Sequence, residues 1–386
     1  MEEQTAGVDR PRGSVRAPVL VCGAGFAGLA TAYWMHRLGF QVTVVEIAES
    51  LRTGGTPVDI KGRTVDVVRR MGLLDAIRAR SLPPRRTEFM TADDLAQAVL
   101  PAQPANLDSP DEEHEIDRDD LLEILFGAVA ADVDIVFGRS VVRLDEAADH
   151  VTARFADGAR QDFALVFGCD GTRSNTRRLV FGEGDHVTHF LKHYAFLKVV
   201  PKTFIARDLT QIYSVPGRTV MLNGYEGKTD IALGFHCDHE IAYDHRDKAQ
   251  QKRLVRERFE GLGWRTPELL AELDAEGDFY FDRICQIRMP AWSKGRVALV
   301  GDAGYCPSPF AGMGGSMAIV GAAALADAVR RHGDDVAAAF EDYDVSLRPF
   351  VEEVQAEAVS FGQAMFAPAT DAEIDARNRM LAGMGA

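Results

Sequence analysis

The chain has 386 residues, 46% hydrophobic and 26% charged, the proportions of an ordinary globular protein with room for two domains. A formal net charge of -15, with no basic run to offset it, argues against a nucleic-acid partner. Five scattered cysteines (Cys22, Cys169, Cys237, Cys285, Cys306) make no CxxC pair, which predicts reduced thiols in a cytoplasmic protein rather than a zinc knot or a disulfide framework.

Residues 1–16 are polar and read as a loose tail. The uncharged runs 17–35 and 303–326 are long enough to imitate membrane spans, the first behind Arg10, Arg12 and Arg16 like a signal peptide. Spaced glycines in the first run, and Pro307, Pro309, Gly312, Gly314 and Gly315 in the second, suit turns opening onto helices. No membrane insertion is expected.

An apolar strand at 19–22 leads into Gly23, Gly25 and Gly28, spaced G-x-G-x-x-G, and then into a small-residue helix and a second strand, QVTVVE, ending in Glu46. The first glycine permits a tight turn, the second lets backbone approach a pyrophosphate, and the third lets helix pack on strand. The helix N-terminus adds free N–H groups for the anion. Glu46 is spaced to accept hydrogen bonds from an adenosine ribose, and its charge argues against the 2′-phosphate of NADP at this site. NAD and FAD both remain open at this point.

Further on, IDRDDLLEIL puts Arg118 at the head of an amphipathic helix, an unfavourable place for a cation unless an anion is near. Residues 133–168 alternate like β structure, with Asp157-Gly158 as a hairpin turn. The run ends in GCDGTRSNTRR, where Asp170 and Gly171 leave a buried strand and Ser174 and Arg177 follow at helical spacing. Near residue 300 the strand RVALV enters GDAGYCPSPFAGMGG, placing Asp302 to accept hydroxyl hydrogen bonds from a polyol and opening a long helix. That helix start suits a group that gains negative charge, such as a reduced isoalloxazine. His186, His189 and His193, or His236 and His239 with Glu240, lack a helical H-E-x-x-H frame, so no metal is expected. From 334 to 366 the period is helical, with Phe340, Tyr343, Leu347, Phe350 and Val354 in one stripe.

In this order the motifs resemble the class A flavoprotein monooxygenases, the single-component aromatic hydroxylases. The segment LRTGGTPVDIKG with the following RRMGLL is most similar to the tetracycline destructases. The resemblance implies an α/β fold: a Rossmann-like FAD-binding domain of the para-hydroxybenzoate hydroxylase type at 17–180 and 285–330, an inserted β-rich substrate domain at 181–284, and a C-terminal helical segment at 331–370. It implies FAD held by Gly23, Gly25, Gly28, Glu46, Arg52, Arg118, Asp170, Gly171, Asp302, Pro309, Gly312, Met313 and Gly314, with NADPH or NADH as electron donor. No second G-x-G-x-x-G is present, as in a family whose nicotinamide cofactor has no Rossmann domain of its own.

The implied activity is insertion of one oxygen atom from dioxygen, through a flavin hydroperoxide, into a phenolic or enolic polycyclic substrate such as tetracycline. The cofactor supplies the chemistry, so no catalytic side chain is singled out. Strands HYAFLKVV, QIYSV, TVMLNGY and IALGFHC are expected to roof the flavin, with Gln211, Tyr213, Arg218, Phe235 and His236 as candidate substrate contacts. Two departures stand out: Ala303-Gly304-Tyr305 where many relatives have Ala-Ala-His, and Gly312-Met313-Gly314 where many have Gly-Gln-Gly. A biosynthetic aromatic polyketide hydroxylase and a non-catalytic flavoprotein that binds a drug or pigment are the alternatives. A halogenase is disfavoured because Trp34, Trp264 and Trp292 form no W-x-W segment. Oligomeric state, monomer or dimer, is left open.

Overall fold

The computed structural model describes residues 16–52, 54–102, 113–182, 184 and 187–384. The tail with Arg10 and Arg12, and His186, lie outside the described residues. Strand Arg16–Cys22 sits inside a six-stranded sheet, between Leu165–Gly168 and Phe40–Val45; Asp134–Val136 lies beyond the latter, and Val297–Leu299 then Ser293–Lys294 beyond the former. All neighbours run parallel except the last pair.

Parallel strands are covered on both faces, and that is why VLVC and VAL read as unbroken apolar runs. Val19 and Val21 pack with helices Phe26–Arg37 and Gly314–His332, while Leu20 and Cys22 turn to the meander Val141–Glu146, Val151–Phe155 and Arg160–Phe163. The Asp157-Gly158 turn closes its hairpin, with Gly158 at a φ of 85° and its N–H donating to Phe155.

A seven-stranded sheet forms the second layer, ordered Tyr280–Ile287, Thr188–Val200, Lys228–His236, Arg218–Tyr225, Leu209–Val215, Arg86–Met90 and Ala96–Leu100. It draws its last two strands from well before residue 181, and Tyr280–Ile287 runs past 284. Those early strands join because Arg86–Met90 pairs parallel to Leu209–Val215, burying Phe89 with Ile212. Helices Lys248–Phe259 and Thr266–Ala271 cover one face of this sheet.

Helix Val336–Glu357 carries the apolar stripe Phe340, Tyr343, Leu347 and Val354 into the core and passes through a π-helical turn, Ala358–Gly362. A further helix, Asp371–Met384, lies beyond the helical segment expected from sequence and packs on the Ala96–Leu100 edge, with Asn378 donating to Gln97. Among the described residues no helix is long and apolar enough to cross a membrane.

Candidate FAD site

The three glycines of the first turn do different work. A methyl group on Gly23, at a φ of 107°, would lie 2.6 Å from Cys169 O, and one on Gly28 would overlap Gly23 O. Both are glycine because protein backbone passes there. A methyl on Gly25 would meet nothing within 4 Å, so this position faces open space at the head of helix Phe26–Arg37. The turn is therefore closed by backbone at Gly23 and Gly28 and open at Gly25, the glycine whose neighbour would be a phosphate.

Glu46 closes the same corner. Its Oε2 accepts the Ala24 N–H at 3.0 Å, its Oε1 accepts the Ala48 N–H at 2.9 Å, and Arg52 stands 3.6 Å away. Arg118 begins helix Arg118–Gly127, capped by the Asp117 carboxylate, and donates Nη1 to Arg52 O at 3.0 Å and Gly54 O at 3.1 Å. Its guanidinium lies 5.3 Å from the Phe26 ring, and burial pulls its pKa down. Gly55 sits at a φ of 118°, where a side chain is strained, and a methyl there would also come 2.8 Å from Arg118 Cδ.

Asp170 is half-buried and bonds within its own turn. Its Oδ2 accepts the Thr176 N–H at 2.8 Å and hydroxyl at 2.9 Å, and its Oδ1 accepts the Ser174 hydroxyl. Gly171, at a φ of 77°, has open space where a side chain would be. Arg177 donates to Ala303 O and Thr172 O, both at 2.7 Å, tying this turn to the later one.

In that later turn Asp302 is half-buried, desolvation raises its carboxyl pKa, and its Oδ2 has a long contact, 3.5 Å, from the Thr172 hydroxyl. Such a carboxylate suits hydroxyl donors arriving from a polyol. Ser308 is held at a φ of 86°, Pro309–Ala311 forms a short helical turn, and Gly312 follows at a φ of 63° in the left-handed region. Met313 caps helix Gly314–His332. A methyl on Gly312 or Gly314 would stand 3.9 Å from Asp59 Oδ2 or Asp302 Oδ1 respectively, in ordinary contact with each carboxylate.

These loops gather at the carboxyl ends of the parallel strands, where such sheets bind dinucleotides. The open Gly25 position, the half-buried Asp302 carboxylate and the basic Arg118 fit FAD.

Tyr305, which replaces the commoner histidine, is a core residue. It is 1% exposed, its hydroxyl lies 2.8 Å from that of Tyr343, and its ring sits 4.5 Å from Trp292. The hydroxyl is thereby committed to the protein interior.

The substrate contacts expected from sequence divide by strand parity. Gln211, Tyr213, Arg218 and Phe235 lie on the helix-covered face: Phe235 stacks on Tyr194, Tyr213 packs by Trp264, Arg218 donates to Arg258 O, and Gln211 bonds Glu88. That corrects their expected placement over the flavin, because side chains alternate along a strand. His236 is on the opposite face, next to His193, whose ring lies 5.4 Å from Phe310 in the cofactor loop. In sequence His193 stands out only as a histidine without a metal frame, and Phe310 only as an aromatic inside a Pro/Gly loop.

The flavin-side face also carries a charged cluster that sequence does not reveal. Arg85 pairs with Glu115 and lies 4.5 Å over the Tyr225 ring, near Asp230, and Lys228 bonds Asp117 at 2.6 Å. Burial pushes Glu115 up to about 7 and Asp230 up to about 6.

Two cavities adjoin these elements. One of about 430 Å³ has Arg218, Phe235, Glu257 and Arg258 of the helix-covered side in its walls, with Pro216, Gly217, His236 and Ala369. The other, about 740 Å³, lies beside the Asp170 turn and has Arg173, Arg177, Arg178 and Arg283 in its walls.

The chain matches the FAD binding domain family over residues 16–358 and belongs to it, as one of the FAD-dependent monooxygenases. It is 35% identical to a flavin-dependent monooxygenase of Legionella longbeachae over 86% of each chain. It is 34% identical to a flavin-dependent monooxygenase from an unknown prokaryotic organism over 95% of each. Among solved structures it is similar to the tetracycline destructase Tet(55), at 33% identity and a TM-score of 0.82 with 95% of each chain covered.

Proposed function

We propose that this chain is an NAD(P)H-consuming hydroxylase of phenolic or enolic polycyclic molecules, with tetracycline-type antibiotics as the favoured substrates. The observation that carries the reading is the likeness to Tet(55) along 95% of both chains, at an identity well above what fold alone supplies. When bound, FAD supplies the redox chemistry that passes electrons from a nicotinamide to dioxygen.

The chain's own residues hold and shield. Gly25 leaves room for the pyrophosphate at a helix N-terminus, Glu46 takes the ribose edge, Arg118 and Arg52 flank the cofactor, and Asp302 accepts from the ribityl hydroxyls. Pro309 and Gly312 shape the turn, Met313 and Gly314 at the head of helix Gly314–His332 offer backbone N–H groups to the ring, and the seven-stranded sheet keeps water from it. The arginine-walled cleft beside Gly171 supports a dinucleotide donor, since its cations suit a diphosphate in an otherwise acidic protein.

The test is the visible spectrum of the purified protein, followed by NADPH and NADH oxidation in air with and without tetracycline. Flavin absorbance with a product heavier by one oxygen is expected. Oxidation that yields oxygenated product only from other polycyclic phenols would favour the biosynthetic hydroxylase instead. Absence of both oxidation and product in a flavin-loaded protein would overturn the enzyme reading in favour of a binding protein.

A further inference from the structure

The loop that leads from Asp302 to the head of helix Gly314–His332 is buried at Cys306, Pro307 and Ser308, and buried carbonyls need donors. Pro307 and Pro309 bring no N–H groups of their own, so the loop cannot meet that need from within. Ser308 is in addition held at a φ of 86°, a strained setting for a residue with a side chain, which persists only where the surroundings enforce it. Something outside the loop must hold it.

Two glutamines do so. Gln286, fully buried on the edge strand Tyr280–Ile287, donates Nε2 to Pro307 O at 3.0 Å and to Gln355 O at 2.7 Å. Gln355, buried on helix Val336–Glu357, donates Nε2 to Cys306 O at 3.1 Å and to Ile287 O at 2.9 Å. The amide orientations follow from the partners. Arg288 can only donate and bonds Gln286 Oε1 at 2.6 and 3.0 Å, while carbonyls, which can only accept, face both Nε2 atoms. All four amide N–H groups therefore end on main-chain oxygens.

The two residues belong to different bodies, the large sheet and the C-terminal helix, and they meet at consecutive carbonyls of the loop. The same helix touches the loop a second time. Beyond Gln355 it opens into the π-helical turn Ala358–Gly362, and a methyl on Gly362 would overlap Phe310 O. Such π-turns recur at functional sites. Downstream of both contacts lie Gly312, Met313 and Gly314, the part of the loop assigned above to the flavin ring. With their amides committed to backbone, the glutamines act on the cofactor only through this loop.

We propose that Gln286 and Gln355 are positioning residues: they clamp the Cys306–Ser308 backbone, fix the head of helix Gly314–His332 against the flavin ring, and so hold up the reduction potential of bound FAD. The physical link is the partial positive charge of a helix N-terminus, which favours a ring that gains negative charge on reduction. A loop freed at two carbonyls lets the N–H groups of Met313 and Gly314 drift, and the reduced form loses more than the oxidised one. The inference goes beyond the hydroxylase reading, because it needs only bound FAD and neither the substrate nor the nicotinamide.

The test is a dithionite titration of the FAD-loaded protein against a reference dye, made on the wild type, Gln286→Met, Gln355→Met and Val351→Ala. Each methionine keeps the length of the side chain and removes its N–H donors. Both variants are expected to bind reduced FAD about tenfold more weakly relative to oxidised FAD, a fall of roughly 30 mV in the two-electron potential. Val351→Ala, a core truncation on the same helix, should lower the unfolding midpoint and leave the potential where it is. That control separates positioning from stability. An unchanged potential in either methionine variant, or an equal fall in Val351→Ala, would overturn the proposal. Should the methionine variants fail to fold or to hold FAD, Gly362→Ala decides, since its methyl presses on Phe310 O and orphans no buried polar group. A lowered potential there supports the clamp, and an unmoved one overturns it. Potentials as expected in a protein that yields no oxygenated product would count against the hydroxylase reading alone.

Discussion

Asp170 accepts both the backbone N–H and the side-chain hydroxyl of Thr176, at 2.8 and 2.9 Å. This bond pair fastens strand Leu165–Gly168 to helix Asn175–Phe181 and makes the aspartate a structural member of the Asp-Gly turn. Asp170→Ala should lower the unfolding free energy of the FAD-free protein by about 2–3 kcal/mol, since it orphans buried donors. Asp302→Ala should do the reverse, stripping flavin while leaving the FAD-free protein as stable as before, because that half-buried carboxylate has only a long contact from Thr172 to hold it. Denaturant unfolding and flavin content, measured on both variants, check the contrast.

The glycine turn gives a second contrast. Gly25→Val should yield a folded protein that purifies colourless, as its side chain enters the space left for cofactor. Gly28→Ala should fail to fold or lose several kcal/mol, since the new methyl overlaps Gly23 O. Circular dichroism separates the two from each other and from the wild type.

A pH effect follows from the cluster between the Val58–Lys61/Glu113–Ile116 ladder and the large sheet. Glu115 rises from 4.5 to about 7 and Asp230 from 3.8 to about 6, chiefly through burial. Both folded values lie above the unfolded ones, so the native state binds more protons than the unfolded state in this window. Their contribution is fully present below about pH 4 and is lost as pH rises through 6 and 7. Unfolding free energy of the FAD-free protein should therefore fall between pH 5 and pH 8, by on the order of 2 kcal/mol. Glu115→Gln should flatten that slope, and a slope unchanged by it would count against the assignment.

Tyr305→Phe should cost about 1 kcal/mol of stability through the lost bond to Tyr343, with the rate of NAD(P)H oxidation unchanged. A large fall in rate would show that the hydroxyl acts on the cofactor after all.

For the arginine-walled cleft, Arg173→Ala and Arg283→Ala should each raise KM for NADPH by about tenfold, the effect of one charge-assisted bond to a phosphate, with kcat little changed. Steady-state kinetics at saturating phenolic substrate give the answer.

The cofactor side of this molecule was open to inspection in the chain itself because its constraints are local. Gly23, Gly28 and Glu46 act within one strand-turn-helix-strand unit, and the charge and position of Arg118 are visible without knowing what it touches. The roof was not. Phe235 and His236 are adjacent in an apolar strand covered on both faces, so alternation cannot say which of them meets helix Lys248–Phe259 and which meets Phe310. Strands Arg86–Met90 and Ala96–Leu100 escaped notice for a related reason, since their partner lies more than a hundred residues away and their own patterning is weak.

The last helix has a bearing on how the chain is made. Arg377 lies 4.6 Å over the Phe89 ring and donates to Ser214 Oγ at 3.1 Å, and Leu381 joins Phe89, Ala98 and Ile212 in one apolar cluster. Residues 86–100 leave the ribosome well before their cover, residues 371–384. Through that interval the strand pair waits with its apolar side bare, and this enzyme's exposure to aggregation is decided there.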